Sequence, residues 1–160
     1  MKRNIGRTTL VIAFLAAVVL SMAPSAHAQQ CTMANAAGTY GFTGTGTLLL
    51  STGPVPVAAV GTITLNADGS LSGTEARSIG GEFENETIGP GTWSVNKDCT
   101  GILTAQVFAK GVLVRTSVLS TVFDDNVRQF RLVQQSLTLP GGGNLAVVIT
   151  FEGRRIFTDQ

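Results

Sequence analysis

Beyond about residue 38 the chain alternates apolar positions with small or polar ones, and helical spacing is nearly absent. Tyr40, Phe42, Gly44, Gly46, Leu48 and Leu50 share one parity, the period-two pattern of a strand with one buried face. Segment 51–56, with Gly53, Pro54 and Pro56, reads as a turn, and 57–65 as the second strand, closed by Asn66-Ala67-Asp68-Gly69. Residues 71–79 follow, broken by Gly80-Gly81. A weaker candidate at 82–88 stops at Gly89-Pro90-Gly91, and a short one covers 92–95. Asn96-Lys97-Asp98 turns the chain into 101–109, and Lys110-Gly111 into 112–123. Asp124-Asp125-Asn126 leads to 127–139, and Pro140-Gly141-Gly142-Gly143 to a last strand from 144 to about 157. The one helical stretch is a single turn over 32–37, ended by Gly38.

Every connection is hairpin-length, which leaves no room for the helical crossover of a parallel strand. The pattern predicts an all-β fold, an antiparallel up-and-down meander of about eight strands. Such a sheet closes into a barrel or packs as a sandwich, because long open edges invite pairing with other chains. The in-strand glycines Gly41, Gly44, Gly46, Gly61 and Gly73 favour the barrel, where they relieve tight bends.

The first 28 residues have another character. Lys2, Arg3 and Arg7 precede an apolar run over 8–20. Pro24 then breaks the run and Ala26-His27-Ala28 offers small residues at −3 and −1 of a cleavage site. The run is shorter than the roughly 18 residues needed to span a bilayer. Residues 1–28 are therefore expected to be a cleaved signal peptide and 29–160 a single domain, exported to the periplasm or beyond. Gln30 precedes Cys31, which does not fit a lipoprotein site.

Cleavage changes the chemistry that remains. Eight Lys and Arg stay against ten Asp and Glu, so no basic stripe suggests a nucleic-acid partner. The only histidine, His27, leaves with the signal. A Ser-His-Asp triad, a Cys-His pair and a His-based metal site are then closed to the protein, and no cofactor or metal is expected. Cys31 and Cys99 remain, and in an exported chain their simplest fate is one disulfide, with free thiols or an intermolecular bridge as the alternative.

Candidate site residues are few. Leu71, Gly73, Glu75, Arg77 and Ile79 share a parity. If that face lines the barrel, Glu75 and Arg77 are paired in a mostly apolar cavity, and Glu75 is a candidate general acid or base. If the strand end reaches the mouth, the pair is solvated, the commoner outcome for Glu–Arg neighbours. Gln106 and Gln134, beside Phe108 and Leu132, can face inward to meet a ligand or to make structural bonds, the latter slightly preferred. Tyr40 and Trp93, each after a Gly-Thr pair, suit a plug at a barrel end, with Tyr40 also a candidate ligand contact. Asn66-Ala67-Asp68-Gly69-Ser70 lacks the acidic residues of a calcium loop. Asp124-Asp125-Asn126 reads as a hairpin tip, and Asn85-Glu86-Thr87 fits the short glycosylation pattern.

The run Gly91-Thr92-Trp93-Ser94-Val95-Asn96-Lys97-Asp98-Cys99-Thr100-Gly101 resembles the Gly-Thr-Tyr-x-Val-Asn-x-Asp-Cys-Thr-Gly signature of small exported bacterial proteins. These are similar to the allene oxide cyclase-like barrels, in the neighbourhood of the calycins. Residues 60–73 and Gly38-Thr39-Tyr40 fit the same pattern, so the resemblance covers about 31–110. It implies an eight-stranded barrel with a small apolar cavity. No catalytic residue of the plant cyclase transfers to a position here. A calycin-like chain carries Gly-x-Trp on its first strand under a basic residue from its last. Here Tyr40 takes the Trp position, with Arg154 or Arg155 as the basic partner.

The leading expectation is a binding module that holds a small apolar or amphipathic molecule inside the barrel. The rivals are an isomerase or cyclase acting through one carboxylate, and a structural protein with a filled barrel. A membrane barrel is disfavoured by short connections on both sides and by a single mature Trp and Tyr. Oligomeric state is left open.

Overall fold

The computed structural model describes residues 31–156. The expected signal segment, 1–28, lies outside the described residues. One helical turn, α1 (Met33–Ala36), is followed by β1 (Gly38–Leu50), β2 (Gly53–Leu65), β3 (Ser70–Ile79), β4 (Glu82–Val95) and β5 (Thr100–Ala109). Then come β6 (Val112–Asp124), β7 (Gln129–Thr138), the two-residue β8 (Asn144–Leu145) and β9 (Val147–Arg155). β1 to β7 pair antiparallel in sequence order, and β9 closes the ring between β7 and β1, with β8 an extra pairing on β7. The meander is a closed eight-stranded barrel, so no long edge is left open.

Three boundaries differ from the sequence pattern. β2 starts at Gly53, ahead of both prolines, and Pro54 and Pro56 pair with Leu49 and Thr47 of β1. Gly80 N–H donates to the Pro56 carbonyl, so the Pro56 nitrogen, which shares that side, points past the end of β3, where no ladder bond is lost. Segments 82–88 and 92–95 form one strand. Gly89-Pro90-Gly91 is absorbed as an irregularity, with register shifts against β3 and β5 and a cis Gly89–Pro90 bond. The last strand is interrupted at Ala146, whose carbonyl accepts from Leu49 N–H.

One end of the barrel is plugged. Tyr40 and Phe130 each meet Phe123 edge-on and are tilted against one another, and Trp93 packs on Phe123. The Phe130 ring lies where a Cβ on Gly153 would stand, so that glycine on β9 is what admits the ring. α1 covers this end, capped reciprocally by Thr32 and Asn35. The expected disulfide forms: Cys31 and Cys99 are bridged, their Cα atoms 5.0 Å apart, tying α1 to the β4–β5 turn.

Two hairpins at this end carry the same turn. In one, Asp68 Oδ1 accepts from Ser70 N and Oγ while Asn66 Nδ2 donates to Ser70 Oγ. In the other, Asp98, Thr100 and Asn96 do the same. These bonds, the side-chain hydroxyl first, hold both carboxyls below the ordinary Asp range. Gly69 N and Cys99 N both close back to the Asn carbonyl. Both residues are left-handed, Gly69 at φ 88° and Cys99 at φ 68°, so the cysteine occupies a glycine position. A spacing of 30 residues relates Ile63, Trp93 and Phe123, all buried in the plug.

Candidate functional site

Inside the barrel, between the plug and a smaller apolar cluster of Leu48, Val57, Leu137 and Ile149, lies a polar layer. Alternation on β3 turns Leu71, Glu75 and Arg77 inward, and Glu75 and Arg77 are only 6% and 5% exposed. The solvated mouth position, the commoner expectation for this pair, does not hold. Gly80-Gly81 makes a two-residue turn, which sets Glu86 of β4 directly opposite Glu75. Like charges opposed across a ladder repel. Arg115 of β6 reaches across β5 and answers both. Its Nη1 donates to Glu86 Oε1 at 2.7 Å and its Nη2 to Glu75 Oε1. Arg77 Nη1 stands 4.0 Å from Glu86 Oε2.

The carboxyls are driven apart in acidity. Burial pushes the Glu75 carboxyl above its ordinary value and outweighs the pull of Arg115; the hydrogen bond to Glu86 and that group's charge push the same way. Burial would raise Glu86 too, but the hydrogen bond and charge of Arg115 hold it below the ordinary value. A proton on Glu75 turns two repelling carboxylates into a hydrogen-bonded pair. Burial, and then the charge of Arg115, lower the Arg77 guanidinium from its usual range.

These groups border a cavity of about 60 Å³, walled by Phe42, Val57, Ile88, Val107, Leu132 and Ile149 among others. Glu75, Arg77, Arg115, Ser117 and Gln134 are its polar lining. Gln134 is buried, and its Nε2 donates to Ser117 Oγ at 3.1 Å and to the Ser136 carbonyl at 3.2 Å. The volume admits about four waters or a molecule of a few heavy atoms. It is well below the roughly 300–1,000 Å³ of sites for drug-sized ligands.

The remaining candidates fall elsewhere. Gln106 is exposed, a correction to its inward expectation: on β5 the odd positions Leu103, Ala105 and Val107 face in, and a register shift at Val107–Phe108 ends the alternation that tied Gln106 to Phe108. Tyr40 is fully buried in the plug and does not line the cavity. Its hydroxyl shares its hydrogen between the carbonyls of Ala36, at 2.8 Å, and Val127, at 2.7 Å. Of the two candidate arginines, Arg155 packs over the Tyr40 ring, 5.4 Å from its centroid, and also bonds the carbonyls of Asn35 and Ala37. Trp93 Nε1 donates to the Asn66 carbonyl at 2.9 Å.

Arg115, Glu86 and Ser117 are the members sequence reasoning missed. The Gly80-Gly81 turn already places 86 opposite 75, and Arg115 shares parity with Ser117, Leu119 and Phe123 on β6. Those two signals were legible. Among the described residues no three side chains of metal-binding type come together, and no helix is long and apolar enough to cross a membrane. No protein-family model matches the chain, and neither does any curated protein.

Proposed function

We propose that the protein is an exported barrel that binds a small amphipathic molecule in its interior. The observation that carries this reading is the polar layer itself. Two arginines, two glutamates, a glutamine and a serine face inward at mid-barrel, where apolar side chains of similar volume give an equal or better core. Such groups suit a site that has a polar partner to meet. The cavity wall supplies the apolar contact and the layer the polar one, the usual division of labour in a binding site. The disulfide fits an oxidising compartment, which supports export. The strand-borne Thr and Ser residues on the outer face, such as Thr43, Thr45, Ser72 and Thr74, suit water better than the apolar band of a membrane barrel.

The resemblance to allene oxide cyclase-like barrels belongs to the same reading at the level of architecture. A cyclase mechanism draws less support: it asks for a carboxylate in a closed apolar cavity, and Glu75 is engaged by Arg115 and Glu86. The small cavity volume favours a second reading, a filled barrel with a structural role. Native mass spectrometry of the purified protein, followed by denaturation, separates the two. Release of a defined small molecule in stoichiometric amount is the expected result. An empty protein whose interior methyl resonances ignore a library of small fragments would overturn the binding reading in favour of the filled barrel.

A further inference from the structure

One charge in the polar layer is left underused by its neighbours. Arg115 spends its fork on two carboxylates. Arg77 is just as buried and faces the cavity, yet among the described residues its one ion-pair contact is Glu86 Oε2 at 4.0 Å, beyond hydrogen-bond reach. Among the same residues Glu86 Oε2 correspondingly has no hydrogen-bond donor. A guanidinium offers five N–H groups in a planar fork, and among the described residues no acceptor stands within hydrogen-bond distance of this one. Ala59 is the direct cross-strand neighbour of Arg77, with Val57 beside it and Ile149 across Gly46. The fork therefore looks onto an apolar wall.

We infer that the interior site takes a small monocarboxylate, its two oxygens on the Arg77 fork and its alkyl part against Val57, Ala59 and Ile149, and that one proton enters the Glu75–Glu86 pair together with it. This rests on the reading of the barrel as a binding module. The acceptor class follows from the fork, which matches a carboxylate with two parallel bonds. Size and charge follow from a cavity of about 60 Å³ and a single unused cation. The proton follows from the charge count. With both carboxyls ionised, Glu75, Glu86, Arg77 and Arg115 sum to zero, so a bound anion leaves one uncompensated buried charge. A proton shared between the opposed carboxyls restores neutrality. Burial already favours the neutral form of Glu75.

The groups that bear on that proton are few. β3 contributes Arg77, β4 contributes Glu86 and β6 contributes Arg115. At the rim, Glu84 of β4 lies opposite Arg77 and is paired with Lys110. The cavity-lining residues of β1, β2, β5, β7 and β9 include no titratable group.

The test is a titration of butyrate, 1-butanol and butylammonium into the protein, following the methyl resonances of Val57, Ala59 and Ile149. At about pH 5.5 butyrate should bind at least about tenfold more tightly than butanol, the size expected of a charge-assisted contact. Its affinity should fall with rising pH, by up to about tenfold per unit once Glu75 ionises in the free protein. Glu75→Gln should abolish that dependence, and Arg77→Met should remove the preference for butyrate while leaving butanol unaffected. Equal binding of butyrate and butanol, or a preference for butylammonium, would overturn the carboxylate assignment and leave interior binding standing. Butyrate affinity that is flat with pH would overturn the coupled proton. No response to any of the three would sink the interior-binding reading itself. Should Arg77→Met fail to fold, Arg77→Lys keeps the charge without the fork and is expected to weaken butyrate alone, while the wild-type series stands without any variant.

Discussion

The plugged end and the polar layer of this barrel are built on opposite principles. At the plug the aromatic rings of Tyr40, Trp93, Phe123 and Phe130 interlock with the helical turn, the disulfide and Arg155, within an apolar cluster that continues down to the cavity wall. The polar groups there are hydroxyl, indole and guanidinium donors that reach backbone carbonyls, as with Tyr40, Trp93 and Arg155. Half a barrel away, charges face one another, the Arg77 guanidinium meets no hydrogen-bond acceptor among the described residues, and a smaller apolar cluster of Leu48, Val57, Leu137 and Ile149 lies beyond. Burial of apolar area is non-directional and forgiving. A buried ionic layer stabilises only if every partner is in place. The difference is that the plug stabilises the fold through apolar contact, while the layer depends on each charged partner being in place.

The sharpest way to break this contrast is one truncation in each region. Phe130→Ala empties the plug and should cost about 3–5 kcal/mol at any pH. Arg115→Met leaves Glu75 and Glu86 face to face without their cation, and should cost about 3–5 kcal/mol near neutrality but distinctly less in mild acid, where one carboxyl protonates. Urea denaturation of both variants across pH checks this. A pH-independent loss for Arg115→Met would mean that the layer behaves like the plug.

Next in size is the disulfide. Cys31→Ala with Cys99→Ala should lose about 2–4 kcal/mol. Cys31→Ala with Cys99→Gly should recover about 1 kcal/mol of that, because residue 99 sits in the left-handed conformation that its twin turn gives to Gly69. Thermal or urea midpoints of the two double variants decide it, and identical midpoints would deny the turn equivalence. Smaller again is Tyr40→Phe, which removes a hydroxyl held by Ala36, Val127 and Arg155 and should cost about 1–2 kcal/mol.

The smallest expected effect is a slope. A carboxyl whose folded pKa is raised contributes stability that is fully present below its unfolded value and lost as pH rises through the folded one. Glu75→Gln should therefore change little in mild acid and gain on the wild type above it, read from urea midpoints along a pH series. A wild type that gains on the variant as pH rises would reverse the assignment of the proton. Glu86 runs the other way: its folded pKa is lowered, so its contribution fades as pH falls through that value.

Much of the molecule was legible in its residues. Period-two alternation and Gly, Asn and Asp turns carry the all-β meander because each is a local backbone rule, settled within a few residues. Glu75 and Arg77 fall on one face for the same reason, and two cysteines in one chain leave one intramolecular pairing. Local rules failed where a neighbouring strand decides. Gln106 points outward because Leu103, Ala105 and Val107 take the inner face of β5, and the register shift beyond Val107 removes Phe108 as a guide to its side. Residues 82–95 stayed one strand through Gly-Pro-Gly because pairing on both sides resumed beyond it. Only closure of the ring brought Arg115 over β5 onto two carboxylates of β3 and β4, left Arg77 facing the cavity and chose Arg155 over Arg154 for Tyr40. A sequence determines which way a side chain points along its own strand. What it meets there depends on the stagger of eight strands around a ring, a sum of small register choices that no single segment contains.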